Sequence, residues 1–311
     1  MGNLAGSSRL REYWKLPLGR RVAPYLFIAP SAVIFLLFIV WPAAQGSFES
    51  LFKRGIIVDS AYPSLRMTFV GLANYAVLLA DPHFLDSLAR TAIYTLVMVP
   101  LTMIVSLGLA LLVQPRYPGV GLVRAIVYWP SMVSLIIIGV AWKWILAYDS
   151  GVLNYFLGLV GVPKIPWLLD PGMAMATVIF VSVWASCGFF MVIFLAGLNA
   201  IPEQYYEAAD MDGATRLQRF GRITLPLLRP TSLLVAVLCS INALKVFQQV
   251  VVLTAGGPGR ATVFTVQNMY REAFTQPNSI GYASAQSVVL FLIMLLFTIV
   301  QLRLGGREDR Q

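Results

Sequence analysis

Six long apolar runs leave this sequence few ways to fold. A bilayer's hydrocarbon core is about 30 Å thick, and about 20 helical residues cross it. Runs of that length lie at 25–48, 88–113, 122–146, 174–198, 223–253 and 282–302. The chain is 58% hydrophobic, only 12% charged, and has a mean hydropathy of +0.75. A soluble domain carries about 25% charged residues, so the expected fold class is an all-α integral membrane protein with six transmembrane helices. Pro30, Pro100, Pro130 and Pro226 fall in or at the starts of these runs. Kinks there are tolerable where neighbouring helices satisfy the freed carbonyls.

An even number of spans puts both ends on one side. Fourteen Lys and Arg residues lie in the two tails and the second and fourth connections or at the span ends that adjoin them, against six in the opposite loops. The positive-inside rule therefore predicts that both termini and the fourth connection are cytoplasmic. It also accounts for the net charge of +9 without a nucleic-acid partner, since no dense basic run interleaved with aromatics appears. The expected organisation is a tail at 1–23, a six-span domain over 24–303 and a second tail at 304–311. The first apolar run continues far past the core of a cleavable signal peptide. Cys187 and Cys239 both sit in apolar runs and read as buried thiols rather than a disulfide. His83 is the only histidine and gives no metal cluster. The opposite loops at 53–86, 148–172 and 254–281 are long for bare connections. They read equally as ordered loops or as a docking surface.

Residues 201–230 concentrate charge in a charge-poor chain: Glu203, Glu207, Asp210 and Asp212, then Arg216, Arg219, Arg222 and Arg229. Pro202 suits a first helical position, Glu203 favours the positive end of a helix dipole, and Gly213 is a natural stop. A short helix over 202–212 follows, with a second helical piece over 214–220 leading into the fifth span. At helical spacing Tyr205, Ala208, Ala209 and Asp212 share a face, flanked by Tyr206 and Met211. Small residues allow close approach and tyrosines offer rigid contact area, as a helix seated in a partner's groove requires. Leu217 and Phe220 could extend that contact or pack back on the bundle. From periodicity alone, a solvated charged loop stays open.

Glu207-Ala208-Ala209, three residues, Gly213, nine residues, then Ile223-Thr224-Leu225-Pro226 resembles the EAA motif of ABC-importer permeases at every motif position. Gly71-Leu72-Ala73-Asn74-Tyr75 and Gly256-Gly257-Pro258 add a likeness to the carbohydrate-uptake branch, the permeases for maltose, glycerol 3-phosphate and related solutes. The Gly-Gly-Pro element resembles the subunit that pairs with a second, different permease. Arg90-Thr91 departs from the family's usual Asn-Thr. The resemblance implies a type I importer permease of a prokaryotic inner membrane, coupled to a dimer of ATP-binding subunits and fed by an extracytoplasmic solute-binding protein. It implies that ATPase contact falls on the coupling helix, including Glu207, Asp210 and Gly213. The chain would bind no cofactor of its own. ATP and Mg would belong to the partner ATPase, consistent with the absence of a G-x-x-x-x-G-K-[ST] loop.

Ionisable groups inside spans are functional candidates. Lys143, between Trp142 and Trp144, reads as a snorkelling interfacial residue. Lys245 is deeper, and on a continuous helix it would share a face with Asn242 and Gln249, with Gln248 close by. These could donate to sugar hydroxyls or a phosphate while Phe247 stacks on a ring, or they could be interhelical polar glue. Ser182, Trp184 and Ser186 form a weaker polar and aromatic face that reads chiefly as packing. No converging carboxylates, His dyad or metal cluster supports an intramembrane enzyme. A self-contained secondary transporter would prefer buried acids for ion coupling, but every Asp and Glu falls in loops, tails or span ends. The solute itself is not named by these residues.

Overall fold

A computed structural model describes residues 18–57, 64–115, 117–275 and 279–305; the rest of both expected tails lies outside them. Among the described residues, four helices are long and apolar enough to cross a membrane unbroken: Tyr25–Glu49, Pro82–Val113, Pro171–Asn199 and Ile280–Gly305. The first of them includes a π-helical turn over Leu36–Val40. The third and fifth runs, expected as single spans at 122–146 and 223–253 with kinks tolerable at Pro130 and Pro226, are bent sharply enough to be broken spans. Val120–Met132 meets Leu135–Ile145 at 98°, and Arg216–Leu227 meets Arg229–Leu244 at 66°. Proline lacks the N–H that an α-helix needs, and Pro130, Pro226 and Pro230 stand at or beside these bends. Val133 and Ser134 are then extended, with ψ of 142° and 131°. The fifth run breaks again after Leu244, and helix resumes only at Gln248–Leu253.

The fourth span is the axis of the bundle. Two thirds of its most apolar window (67%) is buried within the chain, whereas none of the first span's is. Tyr94 and Met98 from the second span belong to one buried core with Val178, Phe190, Met191 and Phe194 from the fourth. Val235, Cys239 and Val250 from the broken fifth run close the core. Cys187 and Cys239 are buried free thiols, as the sequence suggested. Crossings are tight where side chains are absent. A Cβ on Gly188 would lie 2.2 Å from the Val127 carbonyl oxygen, so only glycine lets the third span rest its backbone there.

The opposite-side loops hold more structure than turn residues alone indicated. In the stretch 53–86, β1 (Phe52–Ile57) pairs antiparallel with β2 (Ser64–Phe69), with Phe52 opposite Phe69. This hairpin is the one addition to an otherwise helical fold among the described residues. The Asn74 amide donates to the Ser50 and Phe52 carbonyls at 2.7 and 3.1 Å, and the Tyr75 hydroxyl bonds Ser50 Oγ at 2.6 Å. The Gly71–Tyr75 element thus pins the hairpin to the end of the first span. In 148–172 a helix, Val152–Leu159, carries buried Asn154. Its amide donates to the Tyr148 and Ile165 carbonyls, and its oxygen accepts from Ile165 N–H and Trp167 Nε1. In 254–281 a helix runs from Thr265 to Thr275, and the Thr265 N–H donates to Thr91 Oγ1 at 3.0 Å.

Candidate coupling helix and solute path

Between the fourth and fifth spans the chain forms one short helix, Gln204–Met211, inside the 202–212 expected. Its end is a Schellman closure. Gly213 N–H donates to the Asp210 carbonyl at 3.1 Å and Ala214 N–H to that of Ala209 at 2.9 Å. That geometry needs a left-handed residue, and Gly213 has φ of +72°. Two residues on, Thr215 and Gln218 cap each other reciprocally at the start of Arg216–Arg219, which runs through a π-helical turn, Phe220–Thr224, toward the fifth span. The expected second piece at 214–220 is therefore the lead-in of a longer broken span.

This fold-back divides the helix into two faces, differently from the face proposed on spacing. Ala209 is buried against the chain's own turn, with 9% of its surface exposed. Tyr206 is half-buried and its hydroxyl bonds Thr224 Oγ1 at 2.9 Å. Asp210 pairs with Arg219, tying the helix to the piece that follows. The outward face consists of Tyr205, Glu207, Ala208 and Met211, with Leu217 beyond the turn; Met211 is 89% exposed and Leu217 80%. Phe220 is half-buried and belongs with the packing residues. Ala209 therefore serves approach within the chain, and Ala208 is the small residue left exposed. Beside the closure lies an open, polar cleft of about 420 Å³ edged by Asp212, Gly213, Gln218, Arg219 and Arg222.

The solute-path candidates are not on one helical face. Helix ends at Leu244, Lys245 has φ and ψ of −100° and 18°, and Phe247 is at −154° and −60°. The i−3 and i+4 relation among Asn242, Lys245 and Gln249 therefore fails. Asn242, Lys245 and Gln248 are exposed, whereas Gln249 turns inward and its Nε2 donates to Ser182 Oγ at 3.1 Å. Gln249 is polar glue holding the resumed helix to the fourth span. Trp184 is separate from this group, edge-on to Trp142 at 5.4 Å and lining an apolar cavity of about 740 Å³ with Leu101, Val105 and Phe180. Ser182 and Ser186 donate to carbonyls one turn back, as the packing reading expected. Lys143 is exposed in the last turn of Leu135–Ile145. Arg90 pairs with Asp86 at 3.5 Å.

Spacing arguments named Phe247 but missed Tyr270 and Phe274, whose rings extend from it. The Phe247 ring lies 5.3 Å from that of Tyr270, which lies 4.9 Å from that of Phe274. Tyr270 and Phe274 stand four apart on the Thr265–Thr275 helix, a pairing that i,i+4 neighbours make available.

Residues 72–309 match the family described as binding-protein-dependent transport system inner membrane component. The chain belongs to this family. It is a transport permease of an importer rather than a catalytic enzyme. Among its relatives, the trehalose/maltose transport system permease protein MalF of Thermococcus litoralis is 37% identical over 90% of this chain and 92% of its own. The sn-glycerol-3-phosphate transport system permease protein UgpA of Brucella abortus is 34% identical over 93% and 96%. In fold, the chain is similar to a bacterial alginate ABC transporter solved in complex with an alginate pentasaccharide-bound periplasmic protein. The TM-score is 0.78 at 22% identity, over 93% of this chain and 97% of that one.

Proposed function

We propose that this permease is one of two different membrane subunits of an ATP-driven importer for a sugar or a related polar solute. Such solutes are named for relatives that align over nearly the whole chain. The exposed Gln204–Met211 helix, closed at Gly213, is the observation that carries the mechanism. It offers Tyr205, Glu207, Ala208 and Met211 outward on a base held by Asp210–Arg219 and Tyr206–Thr224. That is the form of a contact that transmits movement. A dimer of ATP-binding subunits would seat this helix in a cleft, and its closure with ATP and Mg would move the bent fifth span. The basic bias of the sequence favours a cytoplasmic position for the helix and both termini, in a prokaryotic inner membrane. A solute-binding protein would deliver cargo to the opposite face.

Co-purification with the ATPase and uptake into proteoliposomes test the proposal. Glu207→Ala together with Met211→Asp should release the ATPase or abolish coupled uptake while the permease still inserts. Full ATPase retention and normal uptake in that double variant would overturn the coupling role, and ATPase-independent transport by the wild type would overturn the importer reading.

A further inference from the structure

We infer that Phe247, Tyr270 and Phe274 form an aromatic shelf that receives a pyranose ring on its way into the path, an inference that rests on the importer reading above. The helix break at Lys245–Phe247 supports it. Backbone outside a helix is tolerated within a membrane domain only where protein buries it or water reaches it. Here Lys245 is exposed, as are Asn242 just before and Gln248 just after. Three exposed polar side chains do not suit a lipid-facing surface, so the break faces away from lipid, toward the solute path or the second membrane subunit proposed above. Phe247 stands at that break, and its ring begins a row continued by Tyr270 and Phe274 at centroid separations of 5.3 and 4.9 Å.

The row has the chemistry of a sugar platform. Tyr270 is 48% exposed and Phe274 76%, so ring surface is open to a ligand. The rings edge an open cleft of about 270 Å³ whose other wall carries Ser284 and Ser287 at the start of the sixth span. That volume lies near the lower end of small-molecule sites. A pyranose presents a face of C–H groups to aromatic rings and hydroxyls at its rim. Apolar rings below and serine hydroxyls beside them meet both demands. A glycerol phosphate has no such face and would call for cations; among the described lining residues of this cleft none is basic, and the exposed Lys245 stands outside the ring row, at the break before Phe247. The shelf therefore favours a pyranoside over a phosphorylated polyol. It also lies apart from Trp184, which lines the separate apolar cavity.

The complete importer, with its second permease, ATPase and binding protein, provides the test in proteoliposomes. The probes are a panel of labelled glucopyranosides including maltose and trehalose, with labelled sn-glycerol 3-phosphate for comparison. Tyr270→Ala and Phe274→Ala should each lower pyranoside uptake about two- to tenfold, the scale of one lost ring contact. Binding-protein-stimulated ATP hydrolysis should hold, so ATP spent per solute rises by the same factor. Tyr270→Phe and Phe274→Trp, which keep a ring, should transport as the wild type does. Unchanged uptake in the alanine variants would overturn the shelf, as would a parallel loss of uptake and ATPase activity. Wild-type uptake of glycerol 3-phosphate with no pyranoside would overturn it as well. Wild-type accumulation that needs no ATP would instead overturn the importer reading itself.

Discussion

At the scale of single residues, Gly213 makes the plainest prediction. Its φ is +72° and a Cβ there would meet no atom within 4 Å. Any cost of substitution is therefore backbone strain and not crowding. Alanine in the left-handed region costs about 1–2 kcal/mol, while asparagine visits it more readily. Gly213→Ala should fray the end of the Gln204–Met211 helix and weaken ATPase retention, and Gly213→Asn should restore most of it. Equal retention by wild type and alanine variant, measured by co-purification, would remove the closure from the mechanism. The position was legible in sequence because a glycine after a short acidic helix has one evident use. The division between Ala208 and Ala209 was not. Neighbours on a helix point about 100° apart, and only the fold-back through Asp210–Arg219 decides which of them is covered.

Elements show where local sequence loses authority. No proline or glycine lies between positions 231 and 255, so the break at 245–247 carries no local signal. Tertiary contacts explain it: Gln249 reaches Ser182, and Gly139 admits the Gln249 backbone, since a Cβ on it would lie 3.0 Å from that carbonyl oxygen. The Thr265–Thr275 helix was likewise concealed in a stretch with loop-like punctuation. It carries a titratable group with a defined sign. Glu272 has its carboxyl pKa raised, first by burial and then by the negative charge of Asp81, against opposing effects of Arg260 and His83. A raised carboxyl holds its proton more tightly folded than unfolded. The folded state is then penalised as pH climbs from the ordinary carboxylate range through the raised value, and the penalty is complete above it. Glu272→Gln should therefore raise the unfolding temperature slightly at neutral pH, with the gain vanishing in acid below the ordinary range. Thermal unfolding in detergent at both pH values checks the direction, and a gain confined to acid would contradict it.

Across the whole molecule, composition identifies the apolar runs but not their neighbours. The first and fourth spans are nearly alike in hydropathy, at 2.3 and 2.5, yet the chain buries none of the first span's most apolar window and 67% of the fourth's. Lipid and protein interior reward the same side chains, so hydropathy alone cannot tell them apart. What distinguishes the fourth span is its small residues at crossings. Gly188 admits the Val127–Tyr128 backbone, whereas a Cβ on Gly108 of the second span would meet nothing within 4 Å. The two glycines are therefore opposite cases. Gly108→Ala should leave the bundle intact and add up to about 1 kcal/mol of helix stability. Gly188→Ala places a methyl against backbone that cannot rotate away, and overpacking of this kind costs about 1–3 kcal/mol. Thermal unfolding of the two variants in the same detergent should move in opposite directions. If Gly188→Ala were as stable as wild type, the third span would not rest on the fourth at this point, and the 98° bend that positions its second half would have to be held by other contacts.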